Sequence, residues 1–262
     1  MKKLKIIIPL FLAVLLILMP CFTPVNALVS DDEELNWYFV NRQNGTTPEC
    51  PKESADFFES LGAYYVGDTN EKVLYLTFDE GYENGNTPKI LDILKEEKVP
   101  AAFFVVKPYI KECPDIVKRM EEEGHLVCNH TSHHPSMAKI IDSEKFNKEF
   151  TDVEDEYKQI TGKEMPKFFR PPMGKYSKNS LKKTQDLGYK TIFWSFAYKD
   201  WLVDNQPSED AAVKKITNGA HNGSIMLLHA VSDTNVKVLK TIIEKLKAEG
   251  YEFKSLNELP ER

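Results

Sequence analysis

The stretch Asn129-His130-Thr131-Ser132-His133-His134-Pro135 gathers three histidines within five residues. His130 and His134 stand four apart, a spacing that sets two imidazoles on one face of a helical turn, where their nitrogens suit a divalent metal. His133 is offset from that face and stays outside the pair. A lone histidine is accounted for by a surface or core role, but imidazoles clustered like this add little to packing. At Asp79-Glu80 two adjacent carboxylates precede Gly81; one could bind the metal while its neighbour takes a proton, because a nearby cation keeps both ionised. A solvated turn is the plainer alternative. In Phe168-Phe169-Arg170-Pro171-Pro172-Met173-Gly174 two prolines fix the backbone beside Arg170. A guanidinium held that way can orient a carboxylate through paired hydrogen bonds, and the rigid loop can offer an N–H to a developing oxyanion; an ordinary proline turn would explain the same residues. Asp200-Trp201 and His229, at the end of an apolar run, complete the set. An aspartate beside an imidazole raises its pKa and fixes its orientation, as a general acid requires, although a capped loop and a strand-end histidine are the simpler readings one at a time. Trp201 could wall a sugar site.

These groups need elements to hold them. From Lys72 onward short apolar runs alternate with amphipathic stretches, the pattern of a parallel sheet with helical crossovers. The pattern predicts strands over 73–78, 101–106, 125–129, 168–170, 191–195, 224–228 and 251–254, and helices over 87–97, 114–123, 143–161, 177–187, 208–220 and 234–249. Glycines such as Gly162 and Gly250 follow polar last turns, where a left-handed cap wants them. About seven such units could close into a distorted (β/α) barrel or lie as an open doubly wound sheet, and in both the carboxyl ends of the strands face one crevice. The residues singled out above all follow strand ends. Residues 28–71, acidic and then polar with Pro48 and Pro51 and with aromatics at Trp37, Tyr38, Phe57 and Phe58, read as an N-terminal arm packed on a core domain of residues 72–262.

With 34 Lys plus Arg against 40 Asp plus Glu and a net charge of -6, the chain has no basic field to gather phosphates, so a nucleic-acid partner is not expected. Lys2, Lys3 and Lys5, an apolar run over 6–19 and Val25-Asn26-Ala27 form the layout of an export signal over residues 1–27, with cleavage after Ala27 or an uncleaved membrane tether as the alternatives. A secreted protein is expected. Pro20 stands where lipid attachment to Cys21 would want a small residue. Cys50, Cys113 and Cys128 then remain, enough for one disulfide with a thiol left over; none has zinc-thiolate spacing, and Cys128 reads as a buried small hydrophobe.

In this order, Thr77-Phe78-Asp79-Glu80, His130-x-x-x-His134-Pro135, Arg170-Pro171-Pro172-x-Gly174, Asp200-Trp201 and Leu227-Leu228-His229 resemble the five motifs of the polysaccharide deacetylase, or NodB-homology, family, over about residues 72–259. Leu35-Asn36-Trp37, the run from Thr77 through Gly85, and Phe193-Trp194-Ser195 look more narrowly like the delta-lactam-biosynthetic de-N-acetylases of spore-forming bacteria, which act on N-acetylmuramic acid in spore cortex peptidoglycan. The resemblance implies a distorted (β/α) barrel. It implies Asp79 as general base held by Arg170, and His229 tuned by Asp200 as general acid. Glu80, His130 and His134 would be metal ligands, with a backbone N–H near Met173 at the oxyanion and Leu227 and Trp201 lining an acetyl pocket. Zinc is the metal that two imidazoles and a carboxylate with an open position favour. Glu80 departs from the family's usual aspartate, and its extra methylene would move the metal or require another rotamer. The partner implied is a peptidoglycan glycan strand, reached after a muramoyl-alanine amidase has removed the peptide, by a monomeric enzyme. A deacetylase of chitin-like or xylan-like glycans and a non-catalytic glycan-binding module are the competing expectations.

Overall fold

The computed structural model describes residues 30–40 and 45–261; the export signal and Cys21 lie outside them. In chain order the elements are β1 (Leu35–Asn36), β2 (Ala63–Tyr64), β3 (Val73–Glu80), α1 (Thr87–Glu97), β4 (Ala101–Val105), α2 (Lys107–Glu112), α3 (Pro114–Glu122), β5 (Leu126–Asn129) and α4 (Ser143–Thr161). There follow β6 (Phe168–Phe169), β7 (Lys175–Tyr176), α5 (Lys178–Asp186), β8 (Lys190–Ile192), β9 (Phe196–Ala197), α6 (Glu209–Gly219), β10 (Ser224–His229), α7 (Asp233–Ala248) and β11 (Glu252–Phe253).

Every expected strand and helix is present, most within two residues of its expected ends. Local chemistry explains the agreement: the Asp142 carboxylate accepts from the Lys145 N–H to open α4 and Gly162 closes it in the left-handed region, while Ser177 and Ser180 form a reciprocal capping box on α5. The expected strand over 191–195 is shorter. After β8 the chain leaves its neighbours, and the Ser195 N–H donates to the Ile225 carbonyl of β10.

The main sheet is parallel, in the order β2-β8-β6-β5-β4-β3-β10-β9, with β11 added to β3. The segment from β8, second in this order, to β9 crosses to the opposite edge, and a bridge between Val66, just after β2, and Ser224 of β10 ties the same two sides. The sheet thus curls into the distorted barrel that the motifs implied. The arm is more than packing: β2, within residues 28–71, is itself an edge strand, so the core begins earlier than residue 72.

Successive residues of a strand face opposite sides, and β3 shows which side is which. Val73 and Tyr75 pack inside the barrel with Ala102, Phe104, Cys128 and Ile225. Leu74, Leu76 and Phe78 face outward into the helix layer, against Ile90, Leu91, Leu94, Leu239 and Ile243. Both faces are therefore dry, each large side chain contributing on the order of 2 kcal/mol by leaving water. Odd-numbered residues of β3 point into the barrel, and that parity decides what its two terminal acids can do.

Candidate active site

Asp79 sits on the inner face at the carboxyl end of β3 and is the register partner of His229 on β10, so the two side chains emerge side by side. Arg170, following β6, is fully buried. Its Nη1 donates to Asp79 Oδ1 at 2.8 Å, its Nε to the Ile192 carbonyl at 3.1 Å and its Nη2 to the Phe193 carbonyl at 3.4 Å. Its guanidinium carbon lies 4.2 Å from the centroid of the Phe104 ring. The paired hydrogen bonds expected between arginine and carboxylate are absent: one N–H serves Asp79 and the others serve backbone, which fixes the guanidinium more firmly. Burial opposes the charge on Asp79, but the positive charge of Arg170, helped by His130 and His229, holds its carboxyl below the ordinary carboxylate range. It is ionised at neutral pH.

On the other side of the cavity Asp200 is fully buried and binds His229 twice, through Nδ1 to Oδ1 at 2.7 Å and through the backbone N–H to Oδ2 at 2.9 Å. Asn235 Nδ2 donates to the same Oδ2 at 2.7 Å and to the His229 carbonyl at 3.0 Å. Burial opposes a charged imidazole here, yet the hydrogen bond and negative charge of Asp200, with Asp79 beyond, carry His229 above its ordinary 6.5. With Nδ1 engaged, Nε2 is the nitrogen free to give a proton to the cavity.

His130 and His134 meet as expected, ring centroids 4.9 Å apart, but not on a helical turn. Thr131 and His134 have φ of 73° and 57°, left-handed values that are uncommon outside glycine and a genuine outlier for the β-branched Thr131. The loop is held by Thr131 N–H donating to Asn129 Oδ1 and His134 N–H donating to Thr131 Oγ1, each at 2.9 Å. Strain of this kind persists where the surroundings over-determine it, as at functional sites. His130 Nδ1 donates to the Arg170 carbonyl at 2.8 Å, leaving Nε2 facing Asp79 Oδ2 at 3.8 Å. Burial drops the His130 pKa to about 4, so this nitrogen is a neutral donor atom. His133, exposed, turns away to Glu149 at 2.8 Å.

Glu80 is not brought to the imidazoles. Its parity sends the side chain into the helix layer, and both carboxylate oxygens are buried without a hydrogen-bond partner. Among the described residues no group of three or more His, Cys, Asp or Glu forms a metal-holding set. The donor atoms thus fit only the imidazole half of the expected site. Burial, with the charges of Glu83 and Asp79, raises the Glu80 carboxyl well above its usual range. A group whose folded pKa is raised is fully stabilising below the unfolded value near 4.5 and loses that contribution as pH climbs. Glu80→Gln should therefore match the parent's urea midpoint near pH 4 and exceed it by about 1–3 kcal/mol of unfolding free energy at pH 8, measured with chelator present; a gap that does not widen with pH would contradict this placement.

Asp79, His130, His134 and His229 line a cavity of about 580 Å³ together with Tyr82, Met173, Gly174, Trp194, Trp201, Leu227 and Val231. Tyr82, Met173 and Trp201 are about half exposed at its mouth, and Trp201 meets His229 edge-on with centroids 5.5 Å apart. Met173 has a left-handed backbone, φ 59°. Tyr82, Trp194 and Asn235 were not singled out for a role by sequence reasoning. An aromatic after a strand-end glycine was a usable signal for Tyr82; for Asn235, in the first turn of α7, nothing local marks it. Cys50, Cys113 and Cys128 are free thiols, so the one disulfide that the sequence permits is not formed.

The polysaccharide deacetylase family description matches residues 66–192. A peptidoglycan-N-acetylmuramic acid deacetylase, PdaA of Bacillus subtilis, is 42% identical over 228 residues, 87% of this chain and 86% of its own. The solved structure of B. subtilis PdaA, a family 4 carbohydrate esterase, superposes with a TM-score of 0.84, covering 87% of this chain and 97% of that one. A peptidoglycan-N-acetylglucosamine deacetylase of Bacillus cereus is 34% identical over 76% of this chain and 72% of its own length. Sequence identity sustained along nearly the whole fold, and not the motifs alone, establishes that this chain belongs to the polysaccharide deacetylase family.

Proposed function

We propose that this enzyme hydrolyses the N-acetyl group of N-acetylmuramic acid in peptidoglycan, outside the cytoplasm, on glycan whose peptide an amidase has already removed. The observation that carries the reading is an ionised carboxylate, Asp79, beside a carboxylate-tuned imidazole, His229, on register-paired strands of one cavity; a glycan-binding module has no need of both. The likeness to PdaA supports muramic acid over glucosamine. Amine release beside the lactyl side chain, once unmasked, would leave the two groups able to close a delta-lactam, as in spore cortex.

Chemically, Asp79 accepts a proton from water as that water adds to the acetamide carbonyl carbon, with Arg170 fixing the carboxylate. The backbone N–H at Met173, presented by its left-handed turn, faces the oxyanion. His229 gives its Nε2 proton to the departing nitrogen as the C–N bond breaks, so that acetate and a free amine leave. Leu227 and Trp201 hold the acetyl methyl away from water. Family members are generally metal-dependent. His130 and His134 are the groups to which zinc would turn, and its contribution is measured directly by assaying acetate release with added zinc and with chelator.

Substrates for that assay are purified peptidoglycan, intact and stripped of peptides, and acetylated chitin-like and xylan-like glycans. Release from the stripped wall glycan in preference to the intact one supports the proposal. Turnover confined to the other glycans, or binding without turnover, would sink it.

A further inference from the structure

The two loops that meet over the catalytic cavity are unlike each other and come from different strands. One carries His130 and His134 after β5, the other carries Met173 and Gly174 after β6. Within one turn beyond His134, Ser136 donates to Glu34 Oε2 and Lys139 approaches Glu34 Oε1 at 3.7 Å. Just beyond Gly174, Lys175 Nζ reaches the same Oε1 at 3.2 Å. Glu34 belongs to the N-terminal arm, outside residues 66–192 that match the family. Its neighbours are fastened to the second loop by backbone: β1 pairs antiparallel with β7, Leu35 to Tyr176 and Asn36 to Lys175, and the Trp37 N–H donates to the Gly174 carbonyl at 2.7 Å.

Trp37 completes the attachment. Its Nε1 donates to the Trp194 carbonyl at 2.9 Å, and its ring packs on Phe58 and Phe193 with centroids 4.9 and 4.7 Å away. Gly174 is enclosed between Trp37 and Trp194: a Cβ there would come within 3.2 Å of the one and 3.0 Å of the other. With φ of 65° at Gly174 as well, only glycine fits this closeness. The arm is thereby bound to the Met173 loop, and through Glu34 it also reaches the histidine loop. Hydrogen bonding from Ser136, more than the nearby lysines, keeps Glu34 below the ordinary carboxylate range, so the bridge is charged at neutral pH.

We propose that Glu34 is a positioning residue, a clamp in the N-terminal arm that fixes the His134 loop against the Met173 loop and so sets the geometry between the imidazole pair and the oxyanion N–H. It touches no reacting atom. The inference rests on the deacetylase reading for its kinetic consequence but not for its structural one. A misplacement of about 1 Å caused by a change far from the chemistry can cost roughly 10²-fold in rate, so a partial loosening of the loops should cost less than that.

The test compares full-length parent, Glu34→Ala, Glu34→Gln, Ser136→Ala and the Glu34→Ala/Ser136→Ala double variant. On peptide-free glycan strands, Glu34→Ala should lower kcat about 10-fold with KM within about 2-fold, Glu34→Gln should recover part of the loss by accepting from Ser136, and the double variant should be no worse than the worse single one. Amide hydrogen exchange in Glu34→Ala should accelerate about 10-fold at residues 130–139 and 171–176 while α7 is unchanged. The clamp is overturned if kcat per folded molecule is unmoved, if Ser136→Ala and Glu34→Ala add independently, or if exchange rises uniformly across the chain. Should the parent release no acetate from any glycan, the deacetylase reading fails, and the exchange pattern alone then decides the clamp.

Discussion

Asp79→Asn should lower kcat for acetate release by about 10²- to 10⁴-fold, the range that a positioned general base contributes. The difficulty in reading such a variant lies in Arg170. With its carboxylate partner gone, a guanidinium of zero exposure keeps only two carbonyl acceptors, and stranding a buried charge costs about 3–5 kcal/mol of stability. Loss of activity could then be loss of fold. The double variant Asp79→Asn/Arg170→Met removes both members of the pair, and replacing a buried ion pair by apolar groups is often neutral or better. Its urea midpoint should return toward the parent's while acetate release stays at the Asp79→Asn level. Recovery of activity along with stability would show that Asp79 matters for folding and not as the base.

Asp200→Asn has an expected effect of similar size from the opposite side of the cavity. An amide in place of the carboxylate presents a donor or a neutral acceptor to His229 Nδ1, and buried Asp-to-Asn changes beside a catalytic imidazole cost on the order of 10⁴ in kcat by imposing the wrong tautomer. The pH profile separates this from general damage. The proposed mechanism needs Asp79 ionised and His229 protonated, so activity should fall on the alkaline side as His229 loses its proton, above 6.5 because Asp200 raises it. Without that charge the alkaline limb should move to lower pH, while the acid limb, set by Asp79, stays. Initial rates from pH 4 to 10 on stripped glycan measure the alkaline limb, the acid limb lying lower still because Asp79 stays ionised below the ordinary carboxylate range; an unshifted alkaline limb would mean that some other group is the acid.

Much of this site was legible because its residues follow strand ends. Asp79, His130, Arg170 and His229 could be picked out where apolar runs stop, and parallel strands bring such positions together. The geometry within each loop was not legible. Spacing found His130 and His134 for a helical reason, whereas the loop brings the rings together through left-handed Thr131 and His134, conformations that only surrounding structure imposes. The fate of Glu80 was hidden by β3 itself: a strand buried on both faces is apolar at every position, so the alternation separating Asp79 from Glu80 leaves no trace in its composition. Asn235 acts on Asp200, 35 positions earlier, and Glu34 on residues more than a hundred positions later, and no local pattern carries such information. The two-residue strands β1, β2 and β9 are likewise too short for any periodicity to register.

The place of β2 at the end of the sheet bears on how this protein can be cut. Ala63–Tyr64 occupies the hydrogen-bonding side of β8 that would otherwise stand open to solvent. A fragment trimmed to the family boundary at residue 66 would expose the row of amides and carbonyls along Lys190–Ile192, with Phe193 beside it stripped of Trp37 and Phe58. Bare strand edges flanked by aromatics recruit other chains. The arm is therefore also a guard against self-association, and the smallest soluble unit is set by the sheet's need for a finished edge rather than by the extent of the catalytic motifs.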